Sequence, residues 1–445
     1  MKKFFGLTSV LILSGLLLGA CGSNKKDKTE DTGAADGKQV VKVAALESAY
    51  GADMWNKMKD AYEKQNPDVE IELTLDKKIE DVISPNMKAG NFPDVILLAT
   101  GREAGLTETF IKDKNLEDLT DVISMTVPGE DNKVSDKLIP GFTETLATNP
   151  YNDGKTYLMP MFYSPTGLFY NAALLEEKGW EVPETWDEMW ELGEKAKKEN
   201  IALFTYPVAG YMDSFFFSLL SATGGPELFN STMNYEKGSW DSDKATKAFE
   251  IVGKLAEYTA ETTVANANQQ DFTKNQQLIL DNKAIFMPNG TWVPEEMKDA
   301  PRADGFKWGM TSLPAENADG DRYSYTFFEQ IWMPSGAENK ADGKDFIAFM
   351  YSDIAADIFK EASAIQPIQG MSDKLDGDNK LFYSIYDDGA KAVMGGFSSA
   401  ETVEGVNMHD ALYGTINSVV SGDKSVDEWQ KTVVETAEKL REAAE

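Results

Sequence analysis

The chain has 445 residues, 42% of them hydrophobic, and a formal charge of −31. Such acidity excludes a nucleic-acid binder, which needs a basic footprint, and it disfavours an anionic ligand unless a local basic pocket overrides it. The length beyond residue 38 is too great for one ordinary core and suits two lobes.

The first residues have the layout of a secretory leader. Lys2 and Lys3 precede an apolar run from Phe4 to Ala20 that ends in the small residues Gly19 and Ala20. The run is at the short edge of what spans a bilayer, and no basic stop-transfer cluster abuts its end. Cys21 follows directly and is the only cysteine. A secreted protein with one cysteine forms no internal disulfide, so that residue is a stray thiol or is modified. Leu18-Gly19-Ala20-Cys21 resembles the lipobox of bacterial lipoproteins, which implies a lipidated Cys21. Gly22 to Lys38 carries almost nothing apolar and cannot bury enough surface to fold. Residues 1–20 therefore read as a signal peptide and residues 21–38 as a lipidated flexible tether.

The body opens with a strand at Val40–Leu46 and a loop at Glu47–Gly51. A helix from about Ala52 to Gln65 follows, with Trp55, Met58 and Tyr62 on one face. Val69–Leu75 alternates as a half-buried strand. A further helix runs to Lys88, and Pro93–Ala99 reads as a buried strand. Strand and helix in alternation define a wound α/β lobe. Ligands in such lobes sit beyond the carboxyl ends of the strands, which marks the loops Glu47–Gly51 and Thr100–Glu103.

A second α/β set starts near Tyr157. Gly167–Asn171 is expected to be a strand, followed by a helix at Ala172–Lys178. Thr185 and Glu188 form a capping box for the next helix. Ile201–Tyr206 is a strand, Tyr211–Ala222 an apolar helix, and Ala245–Tyr258 an amphipathic one. Ala284–Met287 is a strand leading through an Asn289-Gly290 turn to Trp292. Trp308–Thr311 and Phe327–Met333 read as strands. From Ala341 onward the pattern is helical to the end, with a last capping box at Ser425 and Glu428.

Five segments, in order, resemble the extracellular solute-binding proteins of carbohydrate ABC importers, the group that includes maltose-binding protein. They are the lipoprotein-like start, FPDVILL with the strand at Val69–Leu75, MPMFYSPTGLFYN with PETWDEMWELGEKAKK, LILDNKAIFMPNGTW, and GTINSVVSGDKSVDEWQK. One departure is Asp281-Asn282, where relatives often carry Gly in the turn; Asn is the residue that best tolerates the left-handed backbone in its place. The resemblance implies an α/β, two-lobed periplasmic-binding-protein-like fold with a ligand cleft between lobes and a helical C-terminus. Residues 39–150 and 300–350 would form lobe 1, and residues 151–299 and 351–445 lobe 2. It further implies an oligosaccharide ligand, with N-acetylglucosamine-containing sugars the first expectation and a neutral gluco-oligosaccharide the rival. The expected partners are ABC permease subunits and, through Cys21, the outer face of the cell membrane. A monomer without cofactor or metal is expected.

A sugar ring needs aromatic faces for its apolar side and fixed donors and acceptors for its hydroxyls. Trp292 matches the family's stacking tryptophan, and Glu295 lies one helical turn on, with a solvated carboxylate as the alternative. Glu47 and Tyr50 sit in the loop after the first strand. Arg102 follows the third strand, with an ion pair to a nearby acid such as Glu103 as its alternative. Tyr163 and Ser164 fall where the family's second lobe meets the cleft. Tyr211 and Asp213 open a helix. Glu329 is a polar residue in an apolar strand and demands a partner. Phe397, in the Gly395-Gly396-Phe397 loop, resembles an aromatic loop that closes over sugar in relatives. The single histidine, His409, reads as structural.

An enzyme is not expected. Apart from Cys21 there is no cysteine, and there is no Gly-x-Ser-x-Gly elbow, phosphate-cradling loop or His-based metal pattern. A glycoside hydrolase needs only two spaced carboxylates and stays open as an alternative, as does a carbohydrate-binding adhesin. The Asp-rich turns at Asn317–Asp321 and Asp373–Asp378 do not fit a calcium-loop spacing.

Overall fold

The computed structural model describes residues 38–444, apart from 48–49, 103, 144 and 399–402. The expected signal peptide, Cys21 and the tether as far as residue 37 lie outside the described residues. Nine strands occur among the described residues: β1 Gln39–Leu46, β2 Val69–Asp76, β3 Val95–Leu97, β4 Leu158–Asn171, β5 Ala202–Phe204, β6 Ala284–Gly290, β7 Trp308–Thr311, β8 Tyr323–Trp332 and β9 Lys391–Val393. They join in the order β2-β1-β3-β8-β4-β6-β5, with β7 also on β4 and β9 on β8.

β1, β2 and β3 are parallel. Alternation along β1 and β3 sends successive side chains to opposite faces. Val43, Ala45, Val95 and Leu97 enter one core, with Trp55, Met58 and Tyr62 of the helix Gly51–Gln65. Ala44, Ile96 and Leu98 enter another, with Ile79 and Ile83 of the helix Ile79–Lys88. Both faces are thus covered, as a parallel sheet requires. The second lobe is built on β5, β6, β4 and β7. Its core joins Trp186 and Met189 with Phe216, Phe249, Trp429 and Val433, and the Phe249 and Trp429 rings are 4.6 Å apart.

The two lobes share strands. β4 pairs with β8 from Leu158 to Pro165, then with β6 from Thr166 to Phe169 and with β7 from Leu168 to Asn171. One fourteen-residue strand therefore passes from one lobe into the other.

Local rules account for much of this. The Thr185 hydroxyl accepts the Glu188 N–H at 3.3 Å, and the Glu188 carboxylate accepts the Thr185 N–H at 3.2 Å. Ser425 and Glu428 repeat the pattern. Asn282 has φ 59°, the left-handed turn expected in place of glycine. Its side-chain oxygen accepts the Asn171 amide at 2.7 Å, which ties that turn to the end of β4.

Several expectations are corrected. β4 starts at Leu158, not near Gly167, because the segment 158–165 finds β8 as a partner. Asn289 and Gly290 belong to β6 and do not form a turn, since they pair with Gly167 and Thr166. The apolar helix runs from Met212 to Met233, with a break at Gly225, whose φ is 74° and which precedes Pro226. The segment after Ala341 is not helical throughout: β9 adds to the edge of β8, and Pro367 and Gly395-Gly396 interrupt helix propensity. The expected lobe boundary at 350/351 falls inside a core, because Ala355, Phe359, Ile365 and Ile368 share it with Trp55 and Met58.

Candidate functional site

The middle of β4 is where elements of both lobes converge. Ser164 is the Cα partner of Phe327 on β8. On its other side β6 ends at Gly290, opposite Thr166, and the chain continues to Thr291 and Trp292. The Ser164 and Thr291 hydroxyls lie 2.6 Å apart. The carboxyl ends of β1 and β3 bring Tyr50 and Arg102 from one lobe, and those of β5 and β6 bring Tyr211, Asp213 and Trp292 from the other. The carboxyl ends of strands are where open α/β sheets bind ligands, which makes this place the candidate crevice.

Aromatic rings run in a row through this place. Tyr211 lies 6.3 Å from Trp292, Trp292 lies 5.7 Å from Phe327, and Phe327 lies 5.3 Å from Tyr325. Trp292 is 36% exposed and Phe327 41%. Rings of that size are normally covered, so exposed ones side by side make this a candidate binding surface. Gly290 makes the Trp292 position possible: a Cβ there would stand 2.1 Å from the indole ring.

Hydrogen-bonding groups surround the row. The Tyr50 hydroxyl donates to Glu329 Oε1 at 2.9 Å, and its ring meets Phe162 edge-on at 5.0 Å. Burial raises the Glu329 carboxyl above its ordinary range, an effect opposed by the Tyr50 hydroxyl and the charge of Arg102. Burial likewise pushes Asp213 up to about 6, against the stabilising backbone N–H of Ser214. Burial pushes the Tyr383 hydroxyl up to about 12, against its contacts with Thr291 and Ser164. That hydroxyl donates to the Tyr163 carbonyl at 3.2 Å.

The structure sorts the sequence-derived residues. It brings together Tyr50, Ser164, Tyr211, Asp213, Trp292 and Glu329. Arg102 bears on Glu329, and its guanidinium is clamped by both oxygens of Glu80, one at 3.2 Å, the ion pair with a nearby acid that was the alternative to a ligand role. Burial opposes the charge on Glu80, yet Arg102 and a backbone N–H together hold that carboxyl below its usual range. Glu47 is half-buried, and its backbone N–H bonds the Asp76 carbonyl at 3.0 Å.

Two assignments, Tyr163 and Glu295, move away from the row. Tyr163 is buried among Phe142, Tyr383 and Tyr386. Adjacent strand residues point to opposite faces, so Ser164 and Tyr163 cannot both face the ligand. Glu295 is 78% exposed and pairs with Lys298. Phe397 stacks on Tyr235 at 6.0 Å and meets His409 edge-on at 5.2 Å, while its loop stays beside the row, the Gly395 carbonyl accepting from the Tyr325 hydroxyl at 3.0 Å. His409 is accordingly structural, its ionisation depressed by burial.

Sequence reasoning missed Phe327, Tyr325, Thr291 and Tyr383. Alternation carried a signal for the first two: Tyr325, Phe327 and Glu329 share one face of β8. Tyr383 arrives on the distant helix Gly377–Tyr383 and had no local signal.

A two-lobed α/β body with a ring-lined crevice at strands shared by both lobes defines a solute-binding class of protein. The model of the bacterial extracellular solute-binding protein family matches residues 57–379, and the chain belongs to that family. Its members are binding proteins, not enzymes. Among curated relatives, the chain is 26% identical to the diacetylchitobiose binding protein of Streptomyces coelicolor, over 77% of this chain and 75% of that protein. It is 24% identical to the multiple sugar-binding protein of Streptococcus mutans, over 71% and 70% of the two chains. Among solved structures, apo RafE of Streptococcus pneumoniae superposes with a TM-score of 0.66 at 18% identity, covering 91% of this chain and all of the other. A family 1 solute-binding protein of Bifidobacterium longum gives 0.67 at 18% identity, covering 91% of this chain and all of the other.

Proposed function

We propose that the chain captures an oligosaccharide between its lobes and delivers it to the permease of a carbohydrate ABC importer. The observation that carries this reading is the row Tyr211, Trp292, Phe327 and Tyr325, flanked by Ser164, Thr291, Asp213 and Glu329. Exposed rings offer faces to the apolar sides of successive sugar units. Hydroxyls and carboxylates beside them serve the sugar rim, the carboxylates as strong acceptors. A row of rings suits two or more units better than one.

The relatives named above bind diacetylchitobiose and multiple sugars, which supports a sugar ligand and makes N-acetylglucosamine oligosaccharides the first to test. Closure around the ligand favours the bound state by population shift, and the closed surface is what a permease reads. The leader-like start and Cys21 support anchoring by a lipid at the outer face of the membrane. Two acyl chains hold stably where one does not.

Calorimetric titration of the chain against a glycan panel tests the reading. Binding without turnover of at least one oligosaccharide is expected, with loss of that signal in Trp292→Ala. Failure of every glycan to bind, or release of cleaved product, overturns it. Mass spectrometry of the cell-derived protein tests the anchor: a diacylglycerol adduct is expected on Cys21 and absent in Cys21→Ser.

A further inference from the structure

We propose that the crevice selects sugars by charge: Asp213 and Glu329 admit neutral and cationic oligosaccharides and reject those bearing a carboxylate or sulfate. The inference rests on the sugar-binding reading and narrows its ligand class.

The two carboxylates stand on different lobes. Asp213 opens the helix Met212–Met233 of the second lobe, and Glu329 lies on β8 opposite Phe162. Both serve the same row of rings. Asp213 follows Tyr211, at one end of the row, by two positions, and Ser218 of the same helix accepts the Tyr325 N–H at 2.8 Å at the other end. Tyr325 adjoins Phe327, and Glu329 follows Phe327 by two positions on the same strand face.

Among the described residues cations offset them only in part. Arg102 is the cation that bears on Glu329, and both oxygens of Glu80 already hold its guanidinium. Among the described residues no cation bears on Asp213, whose hydrogen-bond partner is the backbone of Ser214. Beyond it lie the hydroxyls of Tyr325 and Tyr413, which carry no charge.

Two physical effects then act in the same direction. An ionised carboxylate only accepts hydrogen bonds, so it suits hydroxyl, amide and ammonium donors and leaves a ligand carboxylate without a proton to share. Like charges in a partly dry crevice also repel. At about 6 Å and an effective dielectric of roughly 20, one such pair weakens binding on the order of 100-fold.

The test pairs each neutral glycan of the panel with its uronic-acid and free-amine counterparts in calorimetry on the full chain. The uronic acid is expected to bind at least about 100-fold more weakly than the neutral form, and the amine within about 10-fold of it. In Glu329→Gln with Asp213→Asn, the gap between uronic and neutral forms should shrink to under about 10-fold. Equal affinity for the uronic acid in the unaltered chain overturns the charge selection alone, as does a gap the paired variant leaves unchanged. Absence of binding by all three forms overturns the sugar reading itself. The unaltered chain carries the decisive comparison, so a poorly folding variant leaves the proposal falsifiable.

Discussion

The Cβ that Gly290 lacks would lie 2.1 Å from the Trp292 indole, closer than any real carbon approach. The strand end and the ring therefore occupy one another's space, and only glycine permits it. Gly290→Ala is expected to displace the ring and weaken sugar binding by at least about 10-fold with Trp292 still present. Calorimetry measures the loss, and a shift in tryptophan fluorescence reports the moved ring. Unaltered affinity in this variant would show that the ring position does not matter.

Trp292→Ala and Phe327→Ala form a graded pair. Both rings are more than a third exposed, so their removal leaves little core cavity and melting temperatures should stay within a few degrees. Binding should fall in both, by more in Trp292→Ala, which loses the larger face and its contacts with Tyr211 and Phe327. A long oligosaccharide should suffer more from Phe327→Ala than a short one. Equal losses for mono- and oligosaccharide would contradict the row as a set of subsites.

Stability should depend on Asp213. Its carboxyl sits at about 6 in the folded chain against 3.8 ordinarily, with burial the leading cause. The folded state therefore binds the proton more tightly than the unfolded one. That contribution is complete below about pH 4 and is lost as pH rises through about 6. Asp213→Asn cannot ionise and should melt a few degrees higher than the parent at pH 7.5. At pH 4 the two should melt alike. Thermal melts across this range check it, and a stabilisation confined to low pH would reverse the sign.

A capping change serves as a control remote from the crevice. Thr185 and Glu188 cap the helix Trp186–Lys198 reciprocally. Thr185→Ala should cost about 0.5–2 kcal/mol in denaturant unfolding and leave sugar affinity unchanged.

Legibility in the sequence followed the range of the interaction. Helix caps and strand alternation act within a few residues, so the Thr185 and Ser425 boxes and β2 could be read directly. Asn282 was readable because its backbone need is local. The span of β4 was not, since residues 158–165 become a strand only through pairing with β8, more than 150 residues away. In the site, Glu329 was visible as an acid in an apolar strand, and Trp292 through its match to the family's stacking tryptophan. Tyr163 was misplaced by one step of the pleat, and the Glu80 partner of Arg102 lay on a helix whose facing side the sequence did not reveal. Phe397 resembled a closing loop, and the bond from the Tyr325 hydroxyl to the Gly395 carbonyl, across 70 residues, had no local signal.

The sharing of β4 makes each lobe incomplete by itself. A fragment ending before Leu158 would carry β1, β2 and β3 and lack both β8 and β4. The side of β3 that β8 normally covers would then present bare backbone donors and acceptors, a template for assembly with other chains. Halves exchanged between relatives meet the same obstacle, because no cut between the lobes spares a hydrogen-bonded strand.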